Sequence, residues 1–214
     1  ERPAQERLVA AEDQLFQLGA TTATGALTPL GESLRRFPLH PRLARLVLEA
    51  TSRGLVREGA ALAALLSERD ICLSGRAFSD APRPQLSSSS DLLFRLDLLE
   101  EAETMGFAQG RLRLLGVDAG AARAVARARD QIARLARTVA PDHFPHRSAA
   151  TEDDVLRVIL AGYPDRVARR RGVGSNRFLL TGGAGATLSP DSTVRRGEFV
   201  VAARMEAGRK GERA

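Results

Sequence analysis

The stretch LTPLGESLRRFPLHPRLARLVLEA, residues 27–50, predicts two short helices joined by a stiff corner. Thr28 is a good N-cap, and Pro29 suits the first helical position because its missing N–H would be unpaired there anyway. Pro38 and Pro41 hold the corner extended, since the residue before a proline avoids the α region. We therefore predict that the second helix opens at Pro41.

The composition of the chain favours helices. Hydrophobic residues make up 43% of the 214 residues and aromatic residues only 4%, so Leu, Ala and Val must fill the core. Strands draw more heavily on aromatic and β-branched side chains. The single cysteine, Cys72, excludes an internal disulfide and fits a reducing compartment. The first residues hold no apolar signal core, and no apolar run is long enough for a membrane span, so we expect a cytoplasmic protein.

The net charge of +6 and the pI of about 10.9 suit a polyanionic partner, although basic surfaces are common in proteins. All of the 32 basic residues except Lys210 are arginines. Arginine carries a planar fork that can bind a phosphate through two hydrogen bonds at once. The charge alone therefore permits nucleic-acid binding without establishing it.

Hydrophobic periodicity predicts further helices over 5–20, 57–70, 91–103, 118–140 and 151–170, with Pro164 breaking or kinking the last. The Ser- and Pro-rich segment 74–90 is expected to be a mobile loop. Residues 177–190 read as a hairpin around a glycine turn, and 197–205 as a further strand. Because a few strands cannot close a sheet, the predicted fold class is mainly α, followed by a small, incomplete β segment.

The segment 118–140 is the clearest amphipathic helix. Its apolar side chains fall opposite a polar row made of Arg123, Arg127, Asp130, Arg134 and Arg137. By the same spacing, Arg42 and Arg45 are expected on the polar face of the helix that Pro41 opens. These six arginines are candidate contacts to a nucleic-acid backbone, which positions a strand without reading its sequence. Such a row is also typical of an ordinary solvated face, and Asp130 indicates some internal pairing.

No catalytic constellation is present in the sequence. The phosphate-binding pattern G-x-x-x-x-G-K-[ST] does not occur, and the glycine runs GVGSN and GGAGAT lack the strand-to-helix context that binds phosphate. His143 and His146 are spaced like metal ligands, but one distant cysteine and the nearby prolines argue against a metal site. We expect no metal and no cofactor in this chain, and a free-standing enzyme has no supporting residues.

Several motifs, in order, resemble the region that follows the two motor domains of DEAH-box ATP-dependent RNA helicases. They are LFQLGA (15–20), GALTPLGESLRRFPLHPRLARLVLEA (25–50), GAALAALLSERD (59–70) and, most like the bacterial HrpB-type branch, LAGYPDRVARRRG (160–172). The resemblance covers nearly the whole chain. It implies a degenerate winged helix over 1–38, a helical ratchet (helicase-associated) bundle over 39–165, and the start of a β-rich, OB-like domain over 166–214.

The resemblance also implies a function. ATP and Mg²⁺ would be bound by upstream RecA-like motor domains of the parent protein, a helicase and NTP hydrolase, while this chain would guide single-stranded RNA, or DNA, without catalysis of its own. Pro38 and Pro41 would form the joint between winged helix and bundle. The alternative is a protein-interaction or regulatory module that docks a partner or restrains the motor, for which the loop 74–90 and the unfinished sheet would be suited.

Overall fold

The computed structural model of the protein describes residues 4–73, 88–140 and 150–206. Within them, the helices are α1 (Gln5–Gln17), α2 (Pro29–Leu34), α3 (Pro41–Ser52), α4 (Val56–Ser67), α5 (Asp91–Thr104), α6 (Gln109–Leu114), α7 (Ala119–Val139) and α8 (Glu152–Gly162). A 3-10 turn over Pro164–Arg166 leads to the strands β1 (Val167–Arg170), β2 (Arg177–Leu180), β3 (Gly185–Thr187) and β4 (Phe199–Val201). The predicted mobile loop lies outside the described residues except for its last three. The mainly helical fold class with a small β segment is confirmed.

The helix α4 lies at the centre of the bundle, packed against α3 and α7. Seven of its residues are buried, as its nearly uniform apolar sequence predicts. The surrounding core consists largely of Leu, Ala and Val side chains, and the same buried cluster takes in Ala20, Leu34 and Phe37 from the segments before the corner. One continuous core therefore links those segments to the bundle, and the domain boundaries drawn from the sequence stay a prediction.

The corner between α2 and α3 is capped as its sequence predicts. The hydroxyl of Thr28 accepts a hydrogen bond from the Gly31 N–H at 3.0 Å and donates one to the Gly19 carbonyl at 2.6 Å. Pro41 takes the first helical position of α3, behind the N-cap residue His40. Pro38 is exposed, beside a buried phenylalanine. The part that the two prolines play as a mechanical joint stays a prediction.

The four strands form an antiparallel sheet in the order β3-β2-β1-β4. Ala168 in β1 pairs with Leu180 of β2 and with Val200 of β4, and Phe178 pairs with Ala186 of β3, so these side chains share one apolar face. The predicted β2–β3 hairpin and the strand within 197–205 are therefore confirmed.

The break predicted at Pro164 is confirmed, but the chain beyond it is not helical. The helix α8 ends at Gly162, because Pro164 lacks the N–H that would continue the helical ladder and its ring clashes with the preceding turn. Residues 167–170, which the predicted helix included, form β1 instead. The short helix α6 was not predicted. It spans only six residues, and Gly116 at positive φ follows its end.

The close contact between α3 and α4 predicts the effect of adding a methyl group. Gly59→Ala should destabilise the protein by about 1–3 kcal/mol, because the new Cβ would overlap the Cβ of Ala50. Gly110→Ala is the matched control: apart from the backbone of α6 itself and the adjacent residues, no atom lies within 4 Å of its added Cβ, so it should stabilise α6 by about 0.5–1 kcal/mol. Urea unfolding of the two variants measures this difference, and equal free energies of unfolding would contradict the packing.

Candidate nucleic-acid interface

The helix α7 presents the polar row predicted from its spacing. All five members are exposed: Arg123, Arg127, Asp130, Arg134 and Arg137. The opposite side of the helix is buried, as the side chains of Val125, Ile132 and Val139 show. The row runs from Arg123 to Arg137, a distance of about 21 Å along the helix axis at 1.5 Å per residue. The faces of this helix are therefore confirmed, while nucleic-acid binding by them stays a prediction.

The four arginines of the row differ in how they are held. The Arg123 guanidinium donates to the Phe107 carbonyl at 2.9 Å and lies 5.7 Å from the centre of that ring. The guanidinium groups of Arg127, Arg134 and Arg137 make no ion pair or hydrogen bond within the described part of the chain. Three guanidiniums on one exposed helix face are therefore available to an external anion.

Arg42 does not lie on a solvent face, and that expectation was wrong. Its side chain is 7% exposed, and its guanidinium binds the carboxylate of Asp165, with Nη2 to Oδ2 at 2.7 Å. The same guanidinium donates to Gln14 Oε1 at 3.3 Å and lies 5.4 Å from the centre of the Tyr163 ring. The segments that carry these partners flank α3 and cover its first turn. In an isolated helix, that turn would be exposed to solvent.

The end of α8 approaches α3 closely at this point. A Cβ added to Gly162 would stand 2.9 Å from the carbonyl oxygen of Arg42 and 3.2 Å from the Cβ of Leu46, so only glycine fits without a shift.

We call the contacts of Arg42 with Asp165, Gln14 and Tyr163 the Arg42–Asp165 clamp. Hydrogen bonds from Arg42 hold the pKa of the Asp165 carboxyl below its ordinary value, against the opposing effect of burial.

Arg45 is half-buried and already paired. Its Nη1 lies 2.9 Å from Glu49 Oε2, and Glu49 Oε1 lies 2.7 Å from Nη2 of Arg53. Burial raises the pKa of the Glu49 carboxyl, but hydrogen bonds from the two arginines outweigh burial and leave that pKa lowered. A carboxylate shared in this way leaves Arg45 a weaker candidate for an external anion than the free arginines of α7.

Sequence reasoning missed the buried Arg129, which lies 5% exposed beside the row. The position of Arg129 on the helix predicts an apolar residue. Its ion pair with Glu103 of α5 could have been found only by a search for carboxylates on neighbouring helices.

The described residues hold no group of three or more His, Cys, Asp or Glu side chains that could bind a metal ion. The two histidines with metal-like spacing, His143 and His146, lie outside those residues. Among the helices that the structure describes, none is long and apolar enough to cross a membrane.

Comparison with known proteins agrees with this architecture. Residues 11–39 match the winged-helix part of the helicase-associated domain (HA2) family. The ATP-dependent RNA helicase HrpA of Escherichia coli is 46% identical over 61 residues, which cover 26% of this chain and 5% of HrpA. The ATP-dependent RNA helicase homolog DQX1 of Mus musculus is 30% identical over 211 residues, which cover 91% of this chain and 28% of DQX1.

A solved structure shares the fold. The crystal structure of the E. coli DExH-box NTPase HrpB superposes with a TM-score of 0.62 at 21% identity, covering 98% of this chain and 20% of HrpB. The chain therefore spans less than a third of each of these relatives.

The Arg42–Asp165 clamp makes a prediction for stability. Arg42→Met should lower the free energy of unfolding by about 2–3 kcal/mol, because Asp165 would lose its counter-ion in a site where its side chain is only 29% exposed. The control is Arg35→Met, which removes an exposed ion pair with Glu32. This substitution should change the free energy of unfolding by less than about 0.5 kcal/mol. Similar losses in both variants, measured by urea unfolding, would contradict the clamp.

The clamp also predicts a pH dependence. The pKa of Asp165 is lowered in the folded state from its ordinary 3.8, so the stabilisation is fully present well above pH 3.8 and is lost as the pH falls through the folded-state value. The difference in unfolding free energy between wild type and Arg42→Met should narrow below about pH 4, as Asp165 becomes protonated. A smaller narrowing is expected between about pH 7 and 5, because burial and, after it, the charge of Arg42 lower the pKa of His40 in the wild type. Urea unfolding at pH 5 and pH 3 isolates the effect of Asp165, and a difference that widens in acid would contradict the assignment.

Proposed function

We propose a strand-guiding role for this chain on the premise that it belongs to the helicase-associated regions of DEAH-box RNA helicases, as its family match and its relatives indicate. In this role it holds single-stranded RNA, or DNA, beside the motor domains of the parent helicase. It would act without catalysis of its own. ATP and Mg²⁺ would be bound by the motor domains, which are its partners in the same chain.

The exposed arginine row of α7 is the observation that carries this proposal. The free guanidiniums of Arg127, Arg134 and Arg137 lie on one face of a helix whose other face is fixed in the core. A guanidinium can bind a phosphate through two hydrogen bonds, and phosphate contacts carry no sequence information. The row is therefore suited to hold many sequences in one position, as a translocating motor requires.

The joint and the clamp would pass motor movement to this helix. Pro38 and Pro41 would stiffen the chain between the segment 1–38 and the bundle 39–165. The Arg42–Asp165 clamp joins the same two segments to each other, at the turn that leads into the β segment 166–214. We propose these three segments as the moving parts of the region, with the bundle carrying the strand.

A second candidate function is docking of a protein partner or restraint of the motor. The helix α1 favours it, because none of its residues is buried and Leu8, Val9 and Phe16 are 40%, 46% and 53% exposed. An apolar face of this kind is more typical of a protein contact than of a phosphate contact. The two functions can share one chain, since α1 and the arginine row lie on different helices.

Binding of fluorescent oligouridine to the 214-residue chain tests the proposed function. Arg127→Gln, Arg134→Gln and Arg137→Gln together should weaken binding at low salt and make the slope of log affinity against log salt shallower by about 2, at about 0.7 per lost phosphate contact. The matched control changes three exposed, ion-paired arginines to Gln, which alters the net charge equally: Arg35, Arg157 and Arg169.

The comparison between these triple variants decides between the two functions. If the row variant and the control variant weaken oligouridine binding equally, only the overall charge matters and the arginine row is not a nucleic-acid-binding site. If oligouridine does not bind the wild-type chain at 50 mM salt, the strand-guiding proposal is wrong and the docking role is favoured.

A further inference from the structure

The acidic member of the arginine row, Asp130, is turned away from its expected partners. On a helix, a carboxylate pairs with cations three or four residues away, and here those are Arg127 and Arg134. Instead, Asp130 Oδ1 accepts hydrogen bonds from the adjacent Arg129, at 2.9 Å from Nε and 2.8 Å from Nη2. Neighbours in sequence do not normally face each other on a helix, so something must hold Arg129 in this orientation.

The holding group is Glu103 on α5. Its Oε1 lies 2.7 Å from Nη1 of Arg129, whose side chain is only 6% exposed. Its Oε2 lies 2.7 Å from Nη2 of Arg57 on α4, so the carboxylate is fixed from both sides. Arg129 is thereby anchored by one edge of its fork to the bundle, while the other edge is presented to Asp130.

The hydrogen bonds from Arg129 affect how the negative charge of Asp130 acts on the arginine row. An Asp130 carboxylate bound to Arg129 is neutralised by a guanidinium that is itself too buried to meet an external anion. The row then keeps its free positive charges, although its sequence contains an acid in the middle. A free Asp130 would compete with any phosphate for Arg127 and Arg134.

We propose that Arg129 is a positioning residue that sequesters Asp130 and so leaves Arg127 and Arg134 free to bind the phosphates of a single-stranded nucleic acid. The inference rests on the proposed function and deepens it. Arg129 does not touch the strand, and it acts only through the carboxylate that it holds.

A double-mutant cycle with oligouridine and the 214-residue chain tests this role. Arg129→Met should weaken binding about fivefold at 0.1 M salt, the effect of about one lost phosphate contact. Asp130→Asn alone should change affinity less than twofold, because the charge it removes is already neutralised. In the Arg129→Met background, Asp130→Asn should restore affinity to within twofold of wild type.

The rescue separates positioning from general damage. Arg129→Met also leaves Glu103 with one partner fewer, so it should lower the free energy of unfolding, and Asp130→Asn should not restore that loss. Arg57→Met is the matched control: it removes the other partner of Glu103 but leaves Asp130 bound, so any loss of affinity there should not respond to Asp130→Asn.

The outcomes distinguish the inference from the function on which it rests. If Arg127→Gln weakens binding but Asp130→Asn has the same effect with and without Arg129, the positioning role is wrong and the strand-guiding function stands. If Arg127→Gln leaves binding unchanged, both are wrong.

Discussion

One ion pair, between the buried Arg42 and the partly buried Asp165, joins the start of α3 to the turn that precedes the sheet. Arg42 stands in the first turn of α3, and Asp165 lies in the turn that leads from α8 to β1. The Gln14 side chain brings α1 to the same guanidinium. A buried guanidinium without its counter-ion is strongly unfavourable, so the pair favours the state in which all three elements are in place together. The clamp therefore brings α1, α3 and the turn before β1 together at one guanidinium.

Close helix contacts make the bundle a firm support for the arginine row. Glycine at position 59 and alanines throughout α4 allow α3 and α7 to approach that helix closely. Such interiors are packed as densely as organic crystals, so they resist small displacements. The row on α7 is thus presented by a rigid element, and the ion pairs of Arg129 and Glu103 extend the same rigidity to the charge pattern on its surface.

Much of this fold could be predicted from local signals in the sequence. The Thr28 and Pro41 helix starts, the buried character of α4 and the two faces of α7 follow from capping preference and periodicity alone. The positions of Arg42 and Arg129 could not be predicted in this way, because each depends on a carboxylate from a distant part of the chain, Asp165 or Glu103. Periodicity places a residue on a face of its own helix but carries no information about which other element covers that face.

In the proposed role, the free guanidiniums on α7 bind the phosphates of a single strand, while the buried guanidiniums of Arg42 and Arg129 form ion pairs within the fold. NMR of the arginine Nε–Hε signals during titration with oligouridine tests this most directly. We expect saturable shifts for Arg127, Arg134 and Arg137, with the signals of Arg42 and Arg129 unchanged. Shifts confined to arginines outside α7, or no shifts at saturating oligouridine, would contradict it.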